Sequence, residues 1–452
     1  MSRSCHGSLF ALTAALALSA TPLLAADADG AHAGSPAPLD WRYRDTLTGD
    51  WNGARTALAD WGLDISSQWI VDTAGNPTGG IRHGTAVAGE FYVQFDFDLE
   101  KLVNWQGASI VSNVYWVQGS NLSDDVGNLL TISSEAGTPG VRLNALYLQN
   151  EFANGALTTR IGQIDVGPFW NSETSSLFVN STFGWPGING LDLPSGGPNS
   201  PLATPGAYVK WKPYDTFYIQ AAAYNGNPLG GSYGNTDGLD FPLDDGAFAI
   251  LEATIEHRWA NGLKGTWRVG AWYNSEGFDD VAYSRNGLSL ASPYADAPLR
   301  LDDNYAVYAI LDHELWKDEI STLSGFIRLA AAPEDRNHIS FYLDTGVALA
   351  APFASRPNDK VGIAFAYAKI SPEIADLARA ENAFSGVNGP IPDYEAVLEV
   401  SYQAAIIPGF DLQPFFQYIF NPGGNIRDPA SDDPAQSIED AAVFGLRAQV
   451  TF

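Results

Sequence analysis

In the segment Ala441–Phe452 every second residue is apolar, and several of the residues between are charged or polar. Ala442, Phe444, Leu446, Ala448, Val450 and Phe452 share one parity, while Arg447, Gln449 and Thr451 share the other. A strand built with that period of two has an oily side and a wet side. A single strand of this kind would suit a half-buried sheet of a soluble protein. Repeated along the chain up to an aromatic last residue, the pattern predicts a transmembrane β-barrel with lipid outside and water inside.

The recurrence is extensive. Strand character occurs at 63–72, 88–99, 108–118, 143–152, 156–165, 205–213, 216–225 and 248–259. It continues at 264–275, 303–316, 321–332, 339–350, 360–370, 394–405, 410–421 and 441–452. Each segment is close to the roughly ten residues that a tilted strand needs to cross a bilayer. After the second segment the connections alternate in length. Ala153-Asn154-Gly155, Pro213-Tyr214-Asp215, Asn261-Gly262 and Pro408-Gly409 are short and have turn chemistry. Between them lie long Gly-, Pro-, Asp- and Asn-rich stretches at 119–142, 166–204, 226–247, 276–302, 371–393 and 422–440. A β-sandwich imposes no such rhythm, whereas a membrane barrel with turns at one end and loops at the other does. The linkers 100–107 and 351–359 are longer than that scheme asks, and 333–338 is shorter.

Parity assigns the faces. Phe91, Val93, Phe95, Phe97 and Leu99 oppose Tyr92, Gln94, Asp96 and Asp98. Leu251, Ala253 and Ile255 oppose Glu252, Thr254, Glu256 and Arg258, and Trp267, Val269 and Ala271 oppose Thr266 and Arg268. Leu329 opposes Arg328, and Val400 opposes Glu399. A charge at mid-strand costs several kcal/mol on the lipid side, so these charges face inward. Carboxylates and guanidiniums both occur there, which predicts a water-filled passage. The third and fourth strands do not sort cleanly by parity.

Composition removes other classes. Cys5 is the one cysteine and lies in a segment expected to be removed, so disulfides and thiol catalysis are excluded. That segment, 1–26, reads as a secretory signal: Arg3, an apolar run Leu9–Leu18, then small residues at Ala25, Ala26 and Ala28. Residues 27–62 form an N-terminal segment and 63–452 the barrel. The net charge of −28 repels nucleic acid. Its plain reading is loop solvation; the sharper one is that acidic outer loops bind divalent ions or sit in lipopolysaccharide. Six histidines and one methionine leave little for metal chemistry, and no metal or cofactor is expected. The 13 Trp and 19 Tyr suit either interface girdles or sugar-binding surfaces. Glu252 and Glu256 would stand roughly 13 Å apart along a strand, too wide for a glycosidase pair. With no nucleophile elbow or phosphate loop in view, an enzyme is not expected.

Trp51–Trp61 reads as a short helix capped by Asp50 and stopped by Gly62. Leu47-Thr48-Gly49-Asp50-Trp51-Asn52-Gly53-Ala54-Arg55 resembles the Leu-x-Gly-Asp-Trp-Gly-Gly-x-Arg opening of the carbohydrate-selective porins of Gram-negative outer membranes, the OprB family. Leu177-Phe178-Val179-Asn180-Ser181-Thr182-Phe183-Gly184 resembles that family's Leu-Phe-x-Asn-Ser-x-Phe-Gly segment, and Pro205–Trp211 and the aromatic end match as well. Asn52 stands where glycine is usual, a departure of no consequence if the position is a helix start. The resemblance spans Leu47 to Phe452. It implies an all-β fold: a 16-stranded antiparallel transmembrane barrel with a short N-terminal helix at its periplasmic mouth and inward-folded loops. It also implies passive diffusion of monosaccharides such as glucose across the outer membrane, with arginines and other polar or aromatic residues narrowing the channel. Outer-membrane lipid and lipopolysaccharide would surround the barrel, as a monomer or homotrimer.

Selective passage of a sugar needs groups that pair with hydroxyls and aromatic planes for ring C–H faces, and binding weak enough to permit release. The stretch 166–204 is the candidate constriction, because a long loop without regular structure is usually functional. Within it Trp170, Asn171 and Glu173 are candidate contacts; packing against the wall is the alternative. Arg160, just before this loop, is the candidate donor of a hydrogen-bond fork. Its alternative role is an ion pair with Asp96 or Glu252. Arg82 and Arg142 border the first two long loops and complete the candidate set, whereas Arg268, Arg328 and Arg447 read as wall charges. Two other readings compete: a secreted β-rich enzyme or glycan binder, and a general or cation-preferring porin without sugar selectivity.

Overall fold

The computed structural model describes residues 44–230 and 234–452. The expected signal segment 1–26 lies outside them, as does most of the segment before the first helix. The strands are β1 (Leu63–Thr78), β2 (Thr85–Asp98), β3 (Ala108–Gly119), β4 (Gly140–Phe152), β5 (Leu157–Ile164) and β6 (Thr204–Tyr214). Then come β7 (Phe217–Asn225), β8 (Ala247–Arg258), β9 (Lys264–Asn274), β10 (Phe278–Ser284), β11 (Pro298–Leu301) and β12 (Asn304–Lys317). The chain finishes with β13 (Thr322–Ala331), β14 (Ile339–Ala350), β15 (Lys360–Ile370), β16 (Tyr394–Ile407), β17 (Phe410–Phe420) and β18 (Ala441–Thr451). All but β10 and β11 form one closed barrel, in which each strand pairs antiparallel with its neighbours and β1 closes on β18. Each of the sixteen expected segments is one of these barrel strands. Between β9 and β12 the long loop carries an unforeseen hairpin, β10–β11, and the loop after β15 carries a helix, Pro372–Ser385.

Face assignment follows the parity. Ile161, Val209, Leu251, Val269, Val307 and Leu311 are exposed on the outer surface. Exposed Trp211, Trp259 and Trp316 lie toward the short-turn end, and Trp116, Tyr273 and Tyr305 toward the long-loop end. That arrangement is an apolar band between two aromatic girdles. The strands that did not sort have a physical reason. The pairing of β3 with β4 shifts at Asn113/Val114, so Asn144 and Ala145 together oppose Asn113. The bulge reverses the inward parity of β4 about Asn144. Asn113 Oδ1 stabilises it by accepting from Ala145 N at 2.8 Å and Asn144 Nδ2 at 3.1 Å.

Two expectations at the N-terminus are corrected. The α-helix is Ala54–Trp61, preceded by a 3-10 turn at Trp51–Gly53, and Gly53 rather than Asp50 is its N-cap. Asp50 still serves the helix, accepting from Thr56 N and Thr56 Oγ1, each at 2.9 Å. Asn52 is not a neutral replacement at a helix start. Its φ of 59° and ψ of 36° lie in the left-handed region, which explains the family's glycine, and asparagine is among the few other residues that adopt it readily. The motif's Arg55 ties this segment to the barrel seam, donating to the Phe452 carbonyl at 2.7 Å, while Leu47 N donates to Thr451 O at 2.8 Å. The long linker after β2 is accounted for by the helix Leu99–Val103, capped by the Asp98 side chain.

The barrel interior is not simply water. Segments 119–139 and 165–203 run inside it, and their apolar residues build a core: Leu130, Ile132, Phe169, Trp170, Phe178, Val179, Phe183 and Ile188 are buried. Wall aromatics Tyr208, Tyr224, Phe248, Trp272, Tyr308, Phe326 and Tyr342 complete it. Several inward charges expected to line water are therefore buried beneath loop backbone instead. Arg328 and Asp344 are fully covered; Arg328 also donates to the carbonyls of Thr182 at 3.1 Å, Phe183 at 2.8 Å and Trp170 at 3.2 Å. Glu399 accepts Val179 N at 2.7 Å and Asn180 N at 2.8 Å, and Glu395 accepts Leu129 N, Leu130 N and Gly423 N. Arg447 grips Asp72 with two 2.7 Å bonds, reaches Ser134 at 2.8 Å and pairs with Glu135 at 3.2 Å. Buried backbone groups need partners, and irregular loops leave many without any of their own. The charged side chains of the wall supply them.

Candidate functional site

The loop 165–203 leaves its own strand, β5, and is fixed at intervals by side chains of β7, β8, β12 and β17. Gln220 Nε2 donates to Pro168 O at 2.8 Å, and Glu252 Oε2 accepts from Trp170 N at 3.2 Å. Asp312 accepts from Ser172 Oγ at 2.6 Å, Thr174 N at 2.9 Å and Thr174 Oγ1 at 2.7 Å. Gln413 donates to Leu177 O at 2.6 Å. Between those tethers, Asn171, Glu173 and Ser176 stay exposed, and they face the short-turn half of the lumen.

Two adjoining cavities open there. One of about 400 Å³ is lined by Arg160, Asp165, Asn171, Lys210, Tyr218 and Arg268, among others. Its neighbour, about 390 Å³, shares Asn171 and Arg268 and adds Glu173, Lys264, Asp312, Glu314 and Lys360. Arg160 donates from Nε to Gln149 Oε1 at 2.8 Å, and its guanidinium lies 5.2 Å from the Tyr147 ring and 5.1 Å from the Tyr208 ring. This replaces the alternative of an ion pair with Asp96 or Glu252. Glu252 is already engaged by Gln220 at 2.8 Å, Tyr308 at 2.9 Å and Arg268 at 3.5 Å.

Three of the six candidates, Arg160, Asn171 and Glu173, thus converge on connected cavities. Trp170 does not join them. It is buried, with its ring stacked 3.7 Å from that of Tyr308 at an interplanar angle of 23°, so it packs the loop onto β12. Arg142 is buried at the long-loop end, where it donates to Pro201 O at 2.7 Å and to Asn235 O. It borders a separate cavity of about 470 Å³ together with Trp185, Asn199 and Asp237. Arg82 is exposed on the loop after β1 and pairs with Asp125 at 2.5 Å, away from the other candidates. Sequence reasoning missed Lys210, Lys264 and Lys360, and took Arg268 for a wall charge. Lys210 was within reach: it shares the parity of Tyr208 inside a segment already singled out.

The loop's short helix, Gly187–Asp192, ends on a buried acid. Asp192 accepts from His338 N at 2.9 Å and Ile339 N at 3.1 Å, tethering the loop near the start of β14. Burial pushes its carboxyl well above the usual carboxylate range, against the pull of those two N–H groups. An acid with a raised folded-state pKa binds its proton more tightly folded than unfolded. Its contribution to stability is largest at low pH and is lost as pH rises through the folded value. Relative to Asp192→Asn, which keeps one acceptor oxygen and does not titrate, the wild type is expected to lose thermal stability as pH climbs from about 4 to neutrality. Unfolding midpoints measured across that range check this, and a constant offset between the two proteins would contradict it.

A closed barrel, oily outside and enclosing polar cavities partly filled by its own loops, is the architecture of a porin. Residues 82–452 match the family described as carbohydrate-selective porin, OprB family, and the chain belongs to that family. It is accordingly a multi-pass β-barrel of the Gram-negative outer membrane. Porin B of Pseudomonas aeruginosa is 26% identical over 431 residues, which cover 90% of this chain and 91% of that protein. A protein described as putative porin QuiX, from Acinetobacter baylyi, is 23% identical, with coverage of 90% and 93%. Among solved structures, a high-pH structure of Pseudomonas putida OprB superposes with a TM-score of 0.81 at 25% identity, covering 90% of this chain and 99% of that one.

Proposed function

We propose that this porin passes monosaccharides such as glucose by passive diffusion, and that the loop 165–203 narrows the passage. The observation that carries this reading is the convergence of Arg160, Asn171 and Glu173 on two connected cavities beneath a loop tethered to the wall. A guanidinium fork, an amide and a carboxylate are the groups that pair with vicinal hydroxyls. Tyr147 and Tyr208 hold the fork in place, so little side-chain entropy is lost when a sugar binds. Site affinity in such a passage must stay low, or release would stop flux. Membership of a family described as carbohydrate-selective supports a sugar as the solute.

Arg160→Ala is expected to weaken glucose block of single-channel current about tenfold, the worth of roughly 1.5 kcal/mol for one lost hydrogen bond to a charged group. Planar-bilayer titration with glucose, alongside liposome swelling with glucose and sucrose, measures it. Unchanged block and flux in a folded channel would reject the assignment.

A further inference from the structure

The cavity beside Arg160 has a charge balance that a neutral sugar does not explain. Its one lining acid, Asp165, and the neighbouring acids Glu252 and Glu256 are already occupied. Asp165 accepts from Ser200 Oγ at 2.8 Å, Gly167 N at 3.0 Å and Asn144 Nδ2 at 3.2 Å, and Glu252 is saturated by the partners given above. Glu256, nearer the short-turn end, pairs with Lys212 at 3.7 Å. Of the cations, Arg268 is committed to Tyr218 Oη at 2.7 Å and to Glu252. Arg160 and Lys210 are different. Among the described residues neither forms an ion pair; Arg160 keeps both terminal nitrogens of its fork uncommitted, and the Lys210 ammonium lies 4.3 Å from the Tyr218 ring.

Strand register brings these two cations together. Arg160 stands opposite Tyr208 and Thr158 opposite Lys210, so the pair are diagonal neighbours on β5 and β6. Diagonal neighbours sit about 7–8 Å apart at their Cα atoms, a gap that one carboxylate can bridge. Two unpaired cations side by side repel each other, and in a chain of net charge −28 acids are abundant enough to have neutralised them. An anion entering the cavity removes that repulsion. Arg presents a planar fork that accepts a carboxylate in bidentate fashion, with Lys as a second point charge. Asn171 lies on the same cavity, its Nδ2 donating to Gly167 O at 2.9 Å and its Oδ1 able to accept from a hydroxyl.

We infer that the preferred solutes of this site are monosaccharides bearing a carboxylate, aldonates or uronates, held weakly between Arg160 and Lys210. This rests on the sugar-diffusion reading above and narrows its substrate class. The negative charge of the whole chain does not oppose it, because exposed loop acids act over only about 8 Å at physiological salt.

The test uses the full protein in planar bilayers, titrated with gluconate and with glucose at matched ionic strength. Gluconate is expected to block the current at about a twofold to fivefold lower concentration than glucose, a modest preference of the size exposed charge pairs provide. Lys210→Gln should bring that ratio close to one, Lys210→Arg should keep it, and Lys210→Glu should invert it. Equal block by the two solutes in the wild type, or a preference that survives Lys210→Gln, would overturn the inference. Liposome swelling separates the two levels of argument. Swelling in glucose without gluconate preference rejects only the carboxylate site, and no swelling in any monosaccharide rejects the diffusion reading beneath it.

Discussion

Replacing Arg328 by alanine is expected to destabilise the folded barrel by about 3–5 kcal/mol and to raise its conductance. The guanidinium and the Asp344 carboxylate are both fully buried, and Nε donates to Asp344 Oδ1 at 2.9 Å. The remaining N–H groups satisfy the carbonyls of Trp170, Thr182 and Phe183 on the loop. Truncation would leave one buried charge unpaired and the Trp170 carbonyl without a donor, a costly omission in a low-dielectric interior, while Thr182 O and Phe183 O would keep only Tyr342 Oη at 3.2 Å and Ser175 Oγ at 2.8 Å. The loop would then lose its hold on β13, and solutes larger than a monosaccharide should enter. Urea titration of the protein folded into vesicles gives the stability, and single-channel recording gives the conductance. The double variant Arg328→Ala/Asp344→Ala should lose less than the sum of the single losses, since no carboxylate is then stranded. A single variant within 1 kcal/mol of wild type and with unchanged conductance would show that the buried pair does not anchor the loop.

Trp170→Ala should be nearly as damaging, at about 3–5 kcal/mol. The indole is 1% exposed, stacks on Tyr308 and meets Trp185 edge-on at a centroid distance of 6.3 Å. Its removal opens a large cavity between the loop and β12, while the backbone N–H of residue 170 and the other partners of Glu252 remain. A packing residue and a sugar platform respond differently here. If the ring packs the loop, thermal stability falls first and sugar block changes only with it. If it were an open platform, block would weaken in a protein of unaltered stability.

The strands were readable because their signal is local. Leu251, Glu252, Ala253 and Thr254 declare their faces by adjacency alone, and the structure leaves Leu251 exposed while burying Glu252 and Thr254. Where a bulge intervened, at Asn144, the same rule failed over a few residues and recovered beyond them. The candidate site was legible in part. Arg160, Asn171 and Glu173, which line the two connected cavities, could be singled out because a charged strand end next to a long mixed loop is a visible juxtaposition. Trp170 resisted, since an aromatic ring reads the same whether it faces water or Tyr308. The cation Lys210 was overlooked because inward parity says that a side chain enters the barrel, not whether a loop lies over it.

What the residues alone determined was sixteen membrane-crossing strands, the side of several of them that meets hydrocarbon, and one long loop as a candidate constriction; the inward course of 119–139 was not among them. Period-two alternation and turn chemistry act between neighbours, so no distant contact is needed to express them. Which inward charges keep their water, and which are consumed in holding loop backbone, was decided only in three dimensions. Glu399 meets Val179 across 220 positions of sequence and Arg447 meets Asp72 across 375, so nothing near either residue announces its partner. A charge beneath a loop must satisfy buried amides or carbonyls, and the same charge a few ångströms away remains free to meet a solute.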